Sequence, residues 1–404
     1  MKNLIVGQSG GPTAVINSSL YGVVKTAMDS SAIDKVYGMQ NGIEGFLKGT
    51  ILDFEEALPG DKLELLKTTP GAYLGSCRYM LPDDLDDETY PKLFAKLEEL
   101  EIAYFLYNGG NDSMDTVSKI SRYAEKVGSD IKVLGVPKTI DNDLVMTDHT
   151  PGFASAAKYV ANTVREIVTD ASVYETPAVT IVEIMGRHAG WLTAASALAR
   201  RFEGDAPYLI YLPEVDFDLD DFVKRVEALL KEHNAVVVCV SEGINDAEGK
   251  FICEYDNATG VDSFGHKMLA GAGKFLENLL RDKLGCKARS VEFNVSQRCS
   301  SALMSKTDQE EAIMAGRFGV ESALAGETGY MIAFDRVGDY KIECSLQDVN
   351  KICNEEKKVP ASMICDDGTN VSQEFIDYCK PLIQGNVDVP TGEDGLPTFA
   401  FRTK

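Results

Sequence analysis

The sequence predicts an α/β fold in which parallel sheets are covered by helices on both faces. Short β-branched or aromatic runs alternate with helical patterns along most of the chain, and that alternation is the signature of sheets built by strand–helix–strand crossovers. The runs are apolar throughout rather than at every second residue, as strands buried on both faces must be. The Gly-rich and charged stretches fall at the ends of the runs, where ligands sit in such sheets. With 404 residues the chain has room for two to three domain-sized units.

Taken in order, the predicted strands are "LIVGQ" (4–8), "AYFLYN" (103–108), "IKVLGV" (131–136), "AVTIVEIM" (178–185), "YLIYLPE" (208–214) and "AVVVCVSEG" (235–243). Predicted helices cover 21–30, 112–127, 154–171, 189–202 and 218–233. Beyond about residue 345 the pattern weakens into "KICNEEKKVPASMICDDGTN", a helix around "QEFIDYCKPLI" and a Gly/Pro-rich tail. This end, 346–404, reads as an accessory segment.

Composition excludes several partner classes. The chain carries 40 basic and 63 acidic residues, a net charge of −23, which repels nucleic acid and anionic membrane surfaces. Any phosphate ligand must therefore find its positive partners concentrated locally. Nine cysteines include no C-x-x-C pair and no zinc spacing, so reduced, mostly buried thiols are expected. "MKNLIVGQSGG" is too short an apolar run for a signal segment, and no stretch approaches membrane-spanning length, which makes a cytoplasmic protein the expectation.

Five strand ends carry chemistry-bearing residues: "SGGPT", "NGGND", "PKTIDND", "MGRHAG" and "SEG". In "QSGGPTAVIN" two glycines follow a strand and Pro12 stands where a helix would begin, which suits backbone N–H groups facing an anion; a plain strand-to-helix turn is the alternative. In "YNGGNDSM", Gly109 and Gly110 permit close backbone approach. Asn111, Asp112 or Ser113 is placed either to cap the next helix or, for Asp112, to set a carboxylate against a bulky anionic ligand. "PKTIDND" adds Lys138, Thr139, Asp141 and Asp143. If extended, Thr139, Asp141 and Asp143 share one face while Lys138, Ile140 and Asn142 take the other. Carboxylates so clustered are costly unless they hold a metal, share a proton or stay wet.

Arg187 leaves a strand through Gly186, suited to an anionic oxygen or to plain solvent. His188 has no carboxylate near it in sequence, and a structural role is the simpler reading. Glu242 at "SEG", with Arg289, Gln297 and Arg298 in "KARSVEFNVSQRCSS", suits a sugar phosphate: arginines for the phosphate, a carboxylate for a hydroxyl.

Together and in this order, "SGGPTAVIN", "GSCR", "NGGND", "PKTIDND", "EIMGRHAG", "SEG" and "SQR" resemble the phosphofructokinase family, most closely its diphosphate-dependent branch, over roughly residues 3–330. The resemblance implies two similar parallel-sheet α/β domains with helices on both faces and the active site in the cleft between them. Residues 1–150 with about 299–345 would form the phosphoryl-donor domain, and 151–298 the sugar-phosphate domain. The implied reaction is reversible transfer of a phosphoryl group from diphosphate to the 1-hydroxyl of fructose 6-phosphate, in glycolysis, with Mg²⁺ and in a homo-oligomer, a dimer or tetramer. Asp141 would be the base, with Asp143 orienting it or holding Mg²⁺ together with Asn111 and Asp112. Thr139 would contact the sugar or the group in flight, and Arg187 would stabilise charge on that group. Gly11, Arg78, Asn111, Asp112 and Lys138 match the donor side; Met185, Gly186, Glu242, Arg289, Gln297 and Arg298 match the sugar-phosphate side.

Two positions bear on the donor. ATP-using relatives carry glycine at the place of Lys138 and a small residue at that of Asp112; here a lysine can neutralise a diphosphate leaving group and Asp112 fills the place of a nucleotide's α-phosphate. Three positions depart from the family pattern: Asn111 for an aspartate, Val295 for His or Tyr, and Ala178 for an arginine that reaches across a subunit boundary. Tyr21 and Lys25 replace two arginines of a nucleotide-effector site, so no nucleotide allostery is expected there. The alternatives are an ATP- or polyphosphate-dependent kinase, a sedoheptulose 7-phosphate kinase of the same family, and a non-catalytic regulatory subunit. Retention of Asp141, Asp143 and Arg187 argues against the last.

Overall fold

The computed structural model describes residues 2–255, 271–353 and 355–401. Its strands are β1 (Asn3–Gln8), β2 (Val36–Met39), β3 (Ile51–Asp53), β4 (Ile102–Gly109), β5 (Lys132–Pro137), β6 (Ala178–Ile184), β7 (Leu209–Tyr211), β8 (Ala235–Ser241), β9 (Lys287–Glu292), β10 (Tyr330–Val337) and β11 (Lys341–Asp348), with a short pair at Ile364–Cys365 and Asn370–Val371. They form a seven-stranded sheet in the order β11-β10-β5-β4-β1-β2-β3 and a four-stranded sheet in the order β7-β8-β6-β9.

All pairs in the smaller sheet are parallel, as are β2-β1-β4-β5-β10 in the larger one. The two edges of the larger sheet depart from the purely parallel expectation: β3 and β11 pair antiparallel with their neighbours. A tight turn between Val337 and Lys341 explains β11, since an antiparallel neighbour needs only a hairpin-sized connection, while β3 returns beside β2 after the short helix Gly42–Leu47.

Burial on both faces follows the period of two. Leu4 and Val6 enter one core and Ile5 the other, as do Leu106 and Phe105, so β1 and β4 read as unbroken apolar runs. In the smaller sheet Val182 and Ile184 face one core while Val179 and Ile181 face the other. The helices at Ile16–Met28 and Lys306–Leu324 pack on one side of the large sheet, through residues such as Leu20, Val23, Ala315 and Val320.

Two helical expectations change in detail. The helix after "SGGPT" starts at Ile16, four residues beyond Pro12, so the glycines sit in an open loop. The apolar stretch 189–202 breaks into a short helix, Trp191–Ala195, and a 3₁₀ turn, Ser196–Ala199. The C-terminal helix Gln373–Cys379 buries Phe375 and Cys379 in the core of the smaller sheet, while Ala400 packs against the core of the larger one. The described residues of this C-terminal segment are therefore built into both bodies. Of the nine cysteines expected to be mostly buried, only Cys77, Cys239, Cys253 and Cys379 are buried.

Candidate active site

β1, β4 and β5 lie side by side in register, Gln8 beside Asn108 and Gly109 beside Pro137, so their three carboxyl ends release the loops 9–13, 110–113 and 138–143 at one edge. β6 and β8 are likewise matched, Ile184 beside Ser241, and release 185–188 and 242. The two sets of loops meet around a cavity of about 640 Å³. A larger hollow of about 920 Å³ lies between the Arg200–Tyr208 loop and the C-terminal helix. Its arginines serve the fold instead: Arg165 and Arg200 donate to backbone carbonyls and Arg201 pairs with Asp205.

On one side of the smaller cavity stand Gly10, Gly11, Arg78, Gly110, Asn111 and Asp112, with Lys138 among them. Gly10 adopts φ +76°, and a Cβ there would lie 2.8 Å from Lys138 Nζ; glycine is what lets the backbone meet the ammonium. The loop bearing Arg78 is pinned to the same place, Ser76 Oγ donating to Gly10 O at 2.6 Å. The helix Asn111–Val127 opens on the cavity with Gly110 as its N-cap, and no side chain caps it, so the capping alternative for Asn111, Asp112 and Ser113 falls away. Asp112 sits in the first turn, and Asn111 Nδ2 donates to Glu355 O at 2.7 Å. A helix N-terminus beside glycine loops is suited to anionic oxygens.

Lys138, Thr139, Asp141 and Asp143 all line the cavity. The strict alternation expected of an extended segment does not hold: β5 ends at Pro137, Thr139 bridges to Gly152, and Asn142 turns the chain at φ 55°. The kink is what brings Lys138 to the same side as the acids. Thr139 Oγ1 accepts from Asp141 N at 3.1 Å and donates to Asp141 Oδ2 at 3.4 Å. Burial pulls Lys138 down to about 8, though Asp141, Asp143 and Asp112 all act to hold its proton. Burial also raises Asp141, against the pull of Lys138, Arg298 and Arg187, and pushes Asp143 up to about 7, with Asp141 adding to the shift.

Across the cavity lie Met185, Arg187, Glu242 and Arg298. A Cβ on Gly243 would lie 1.9 Å from Arg187 O, so the "SEG" glycine sets how closely the two loops pack. Glu242 Oε1 accepts from Gly186 N at 3.3 Å, and burial pushes this carboxyl up to about 7. Three expected site residues stand elsewhere. Gly186 and Gln297 act behind the lining, Gln297 Oε1 accepting from Met185 N at 3.4 Å. Arg289 is exposed on the edge strand β9, outside the cavity. Val295, 51% exposed, and Ala178, at the start of β6, are also outside it.

The cavity includes residues that sequence reasoning did not select. His188, read as structural, lines it, with its ring 6.4 Å from that of Phe251. Tyr79 and Met80 follow Arg78, and Glu356 arrives from the C-terminal segment with no local signal to announce it. Tyr21 and Lys25 are engaged at a distance from the cavity, Tyr21 OH donating to Glu64 at 2.7 Å and Lys25 pairing with Asp29 at 2.6 Å.

Glycine loops and a helix N-terminus for phosphate oxygens, and a buried carboxylate facing arginine, are what a phosphoryl-transfer enzyme of two α/β bodies requires. Comparison with known proteins identifies which one. The phosphofructokinase family model matches residues 3–324. The chain is 41% identical over 402 residues to the pyrophosphate–fructose 6-phosphate 1-phosphotransferase of Xanthomonas campestris pv. campestris, covering 98% of this chain and 95% of the relative. It is 40% identical to the protein of that name from Halomonas elongata, covering 100% and 96%. The solved pyrophosphate-dependent phosphofructokinase from Marinobacter aquaeolei superposes with a TM-score of 0.89 at 37% identity, covering 100% of this chain and 96% of that one. The chain belongs to the phosphofructokinase family.

Proposed function

We propose that this protein transfers a phosphoryl group from diphosphate to the 1-hydroxyl of fructose 6-phosphate, giving fructose 1,6-bisphosphate and phosphate. The observation that carries the choice of donor is the position of Lys138, 5% exposed and lining the cavity beside Gly10 and Asp112. A fixed ammonium there neutralises the phosphate that leaves, and Asp112 repels the α-phosphate of a nucleotide. The relatives named for pyrophosphate support the same reading.

In the forward reaction the 1-hydroxyl attacks the transferred phosphorus as Asp141 takes its proton. The new O–P bond forms as the bridging P–O bond of diphosphate breaks, and phosphate leaves toward Lys138. Arg187 faces the oxygens of the group in flight. Thr139 holds Asp141 by the paired contacts described above. Met185, Glu242 and Arg298 bind the sugar phosphate, the glutamate taking a hydroxyl and the arginine the phosphate.

The lining also suits Mg²⁺. Asp112, Asp141, Asp143, Glu242 and Glu356 offset Arg78, Lys138, Arg187 and Arg298, so the cavity does not balance diphosphate by itself. Asp143 Oδ1 is buried without a hydrogen-bond partner, an oxygen suited to a hard cation. Among the described residues no cluster of three or more His, Cys, Asp or Glu forms a ready cage, which fits a metal that arrives with the donor. Asp143, Asp112 and Asn111 would hold it, and when bound it supplies charge neutralisation on the phosphate oxygens.

We also read the protein as a cytoplasmic homo-oligomer. Arg289, exposed on an edge strand, is available to a second copy, and no described helix is long and apolar enough to cross a membrane. The test is to run the purified protein with Mg²⁺ in both directions. Fructose 1,6-bisphosphate should form from fructose 6-phosphate and diphosphate, and diphosphate from fructose 1,6-bisphosphate and phosphate. Failure in both directions, or turnover restricted to another ketose phosphate, overturns the reading.

A further inference from the structure

The two carboxylates at the reaction centre flank Asn142, a residue in the left-handed region that a non-glycine side chain enters only when the surroundings hold it. What holds it comes largely from the C-terminal segment. Asn142 Oδ1 accepts from Thr150 N at 3.2 Å and from Lys357 Nζ at 3.3 Å, while Asn142 Nδ2 donates to Tyr378 OH at 2.9 Å. Lys357 Nζ also donates to Thr147 O at 3.1 Å and Asp148 O at 2.8 Å, and Lys357 N donates to Asp143 O at 2.7 Å. All three protons of the ammonium are thus directed at the loop that carries the acids.

The same short stretch is tied to the rest of the cleft. Lys357 O accepts from Trp191 Nε1 at 2.9 Å, and the ammonium stands 5.3 Å from the Trp191 ring centre. Glu355 O accepts from Asn111 of the donor loop. Val359 N donates to Glu214 Oε1 at 2.9 Å, which also accepts from Gly190 N just beyond Arg187. Lys357 is half-buried, and bringing its ammonium out of water is costly; a purely packing role would be served better by an apolar side chain of the same length. The cost is understandable if the ammonium fixes a geometry, joining Asn142 to the carbonyls of Thr147 and Asp148 through a single group.

We propose that Lys357 is a positioning residue for catalysis: by clamping Asn142 and the carbonyls of Thr147 and Asp148, it sets where Asp141 and Asp143 point. The kinetic arm of the test rests on the phosphoryl-transfer reading above; the structural arm does not.

Lys357→Met keeps the stem and removes the donors. With the acids misdirected, kcat per folded molecule should fall about 10–100-fold while both KM values stay within about threefold. Lys357→Arg, which restores a cation and donors, should recover part of the loss. A crystal structure of Lys357→Met should show residues 141–143 displaced and Asn142 out of the left-handed region. Tyr378→Phe cuts a second side-chain hold on Asn142, and the donation from Tyr378 OH to Asp148 O at 2.8 Å, and should lower kcat about 3–10-fold at constant KM, which keeps the idea testable if Lys357→Met does not fold. A kcat within about twofold of the parent, a loss carried by KM instead, or an unmoved 141–143 loop overturns the proposal. If the parent protein itself turns over no diphosphate, the reaction assignment falls, and the crystallographic comparison still decides on Lys357.

Discussion

Lys138 sits where its charge matters and where burial makes that charge expensive. Replacing it and Asp112 by glycine should weaken diphosphate use by on the order of a hundredfold or more in kcat/KM, measured by initial rates; unchanged diphosphate kinetics would remove both as donor determinants. Asp141→Asn should lower kcat by about 10²–10⁴ while fructose 6-phosphate binding, followed by calorimetry, stays within about threefold of the parent. The pH dependence follows from the signs of the shifts. Asp141 is raised and Asp143 stands at about 7, so the ionised acids are lost as pH falls through neutrality, and kcat/KM should drop on the acid side well above the ordinary carboxylate range. Lys138, lowered to about 8, loses its proton as pH rises through that value, so the KM for diphosphate should climb on the alkaline side. A profile flat from mildly acid to mildly alkaline pH would contradict both. Most of these residues were legible in the sequence because glycine and charge stand together at strand ends. Lys138's orientation was not, since alternation assumes an extended chain and the strand ends at Pro137, just before it.

At the scale of elements, the site depends on strand ends held in register and on helices whose first turns are capped from elsewhere. The helix Phe153–Ala171, which follows the loop that carries the acids, receives its cap from a distant helix: Asp308 Oδ1 and Oδ2 accept from Gly152 N and Ser155 N, both at 2.9 Å. Asp308→Ala strands two buried donors and should cost about 2–3 kcal/mol in denaturant unfolding; a loss below about 0.5 kcal/mol would show that water replaces the cap. Strands β1, β4, β5, β6 and β8 were readable from their apolar runs, whereas β11 was not, because its alternating polar residues blur the signal. Contacts across long separations were invisible for a plainer reason. Lys357 meets Asn142 over 215 positions of sequence, and nothing in either segment marks the pairing. The kinks, caps and clamps that complete the site belong to that category.

The whole molecule gathers four cationic side chains, Arg78, Lys138, Arg187 and Arg298, among the carboxylates of one cavity inside a chain of net charge −23. The anionic exterior opposes non-specific phosphate binding, so affinity has to come from the cleft and from the metal that accompanies the donor. Chelating Mg²⁺ should therefore abolish turnover while binding of fructose 6-phosphate, read by calorimetry, persists; activity in excess chelator would contradict the metal's place in the account. ADP should not activate the enzyme through the surface near Tyr21 and Lys25, whose side chains are engaged with Glu64 and Asp29; a marked activation in a rate assay would contradict this. The most direct test of the central claim compares diphosphate with ATP at matched concentration as donors to fructose 6-phosphate, with Mg²⁺ present. A rate with diphosphate and none above background with ATP is the expected result. A rate with ATP alone would contradict the assignment of Lys138 and Asp112 as the residues that choose the donor.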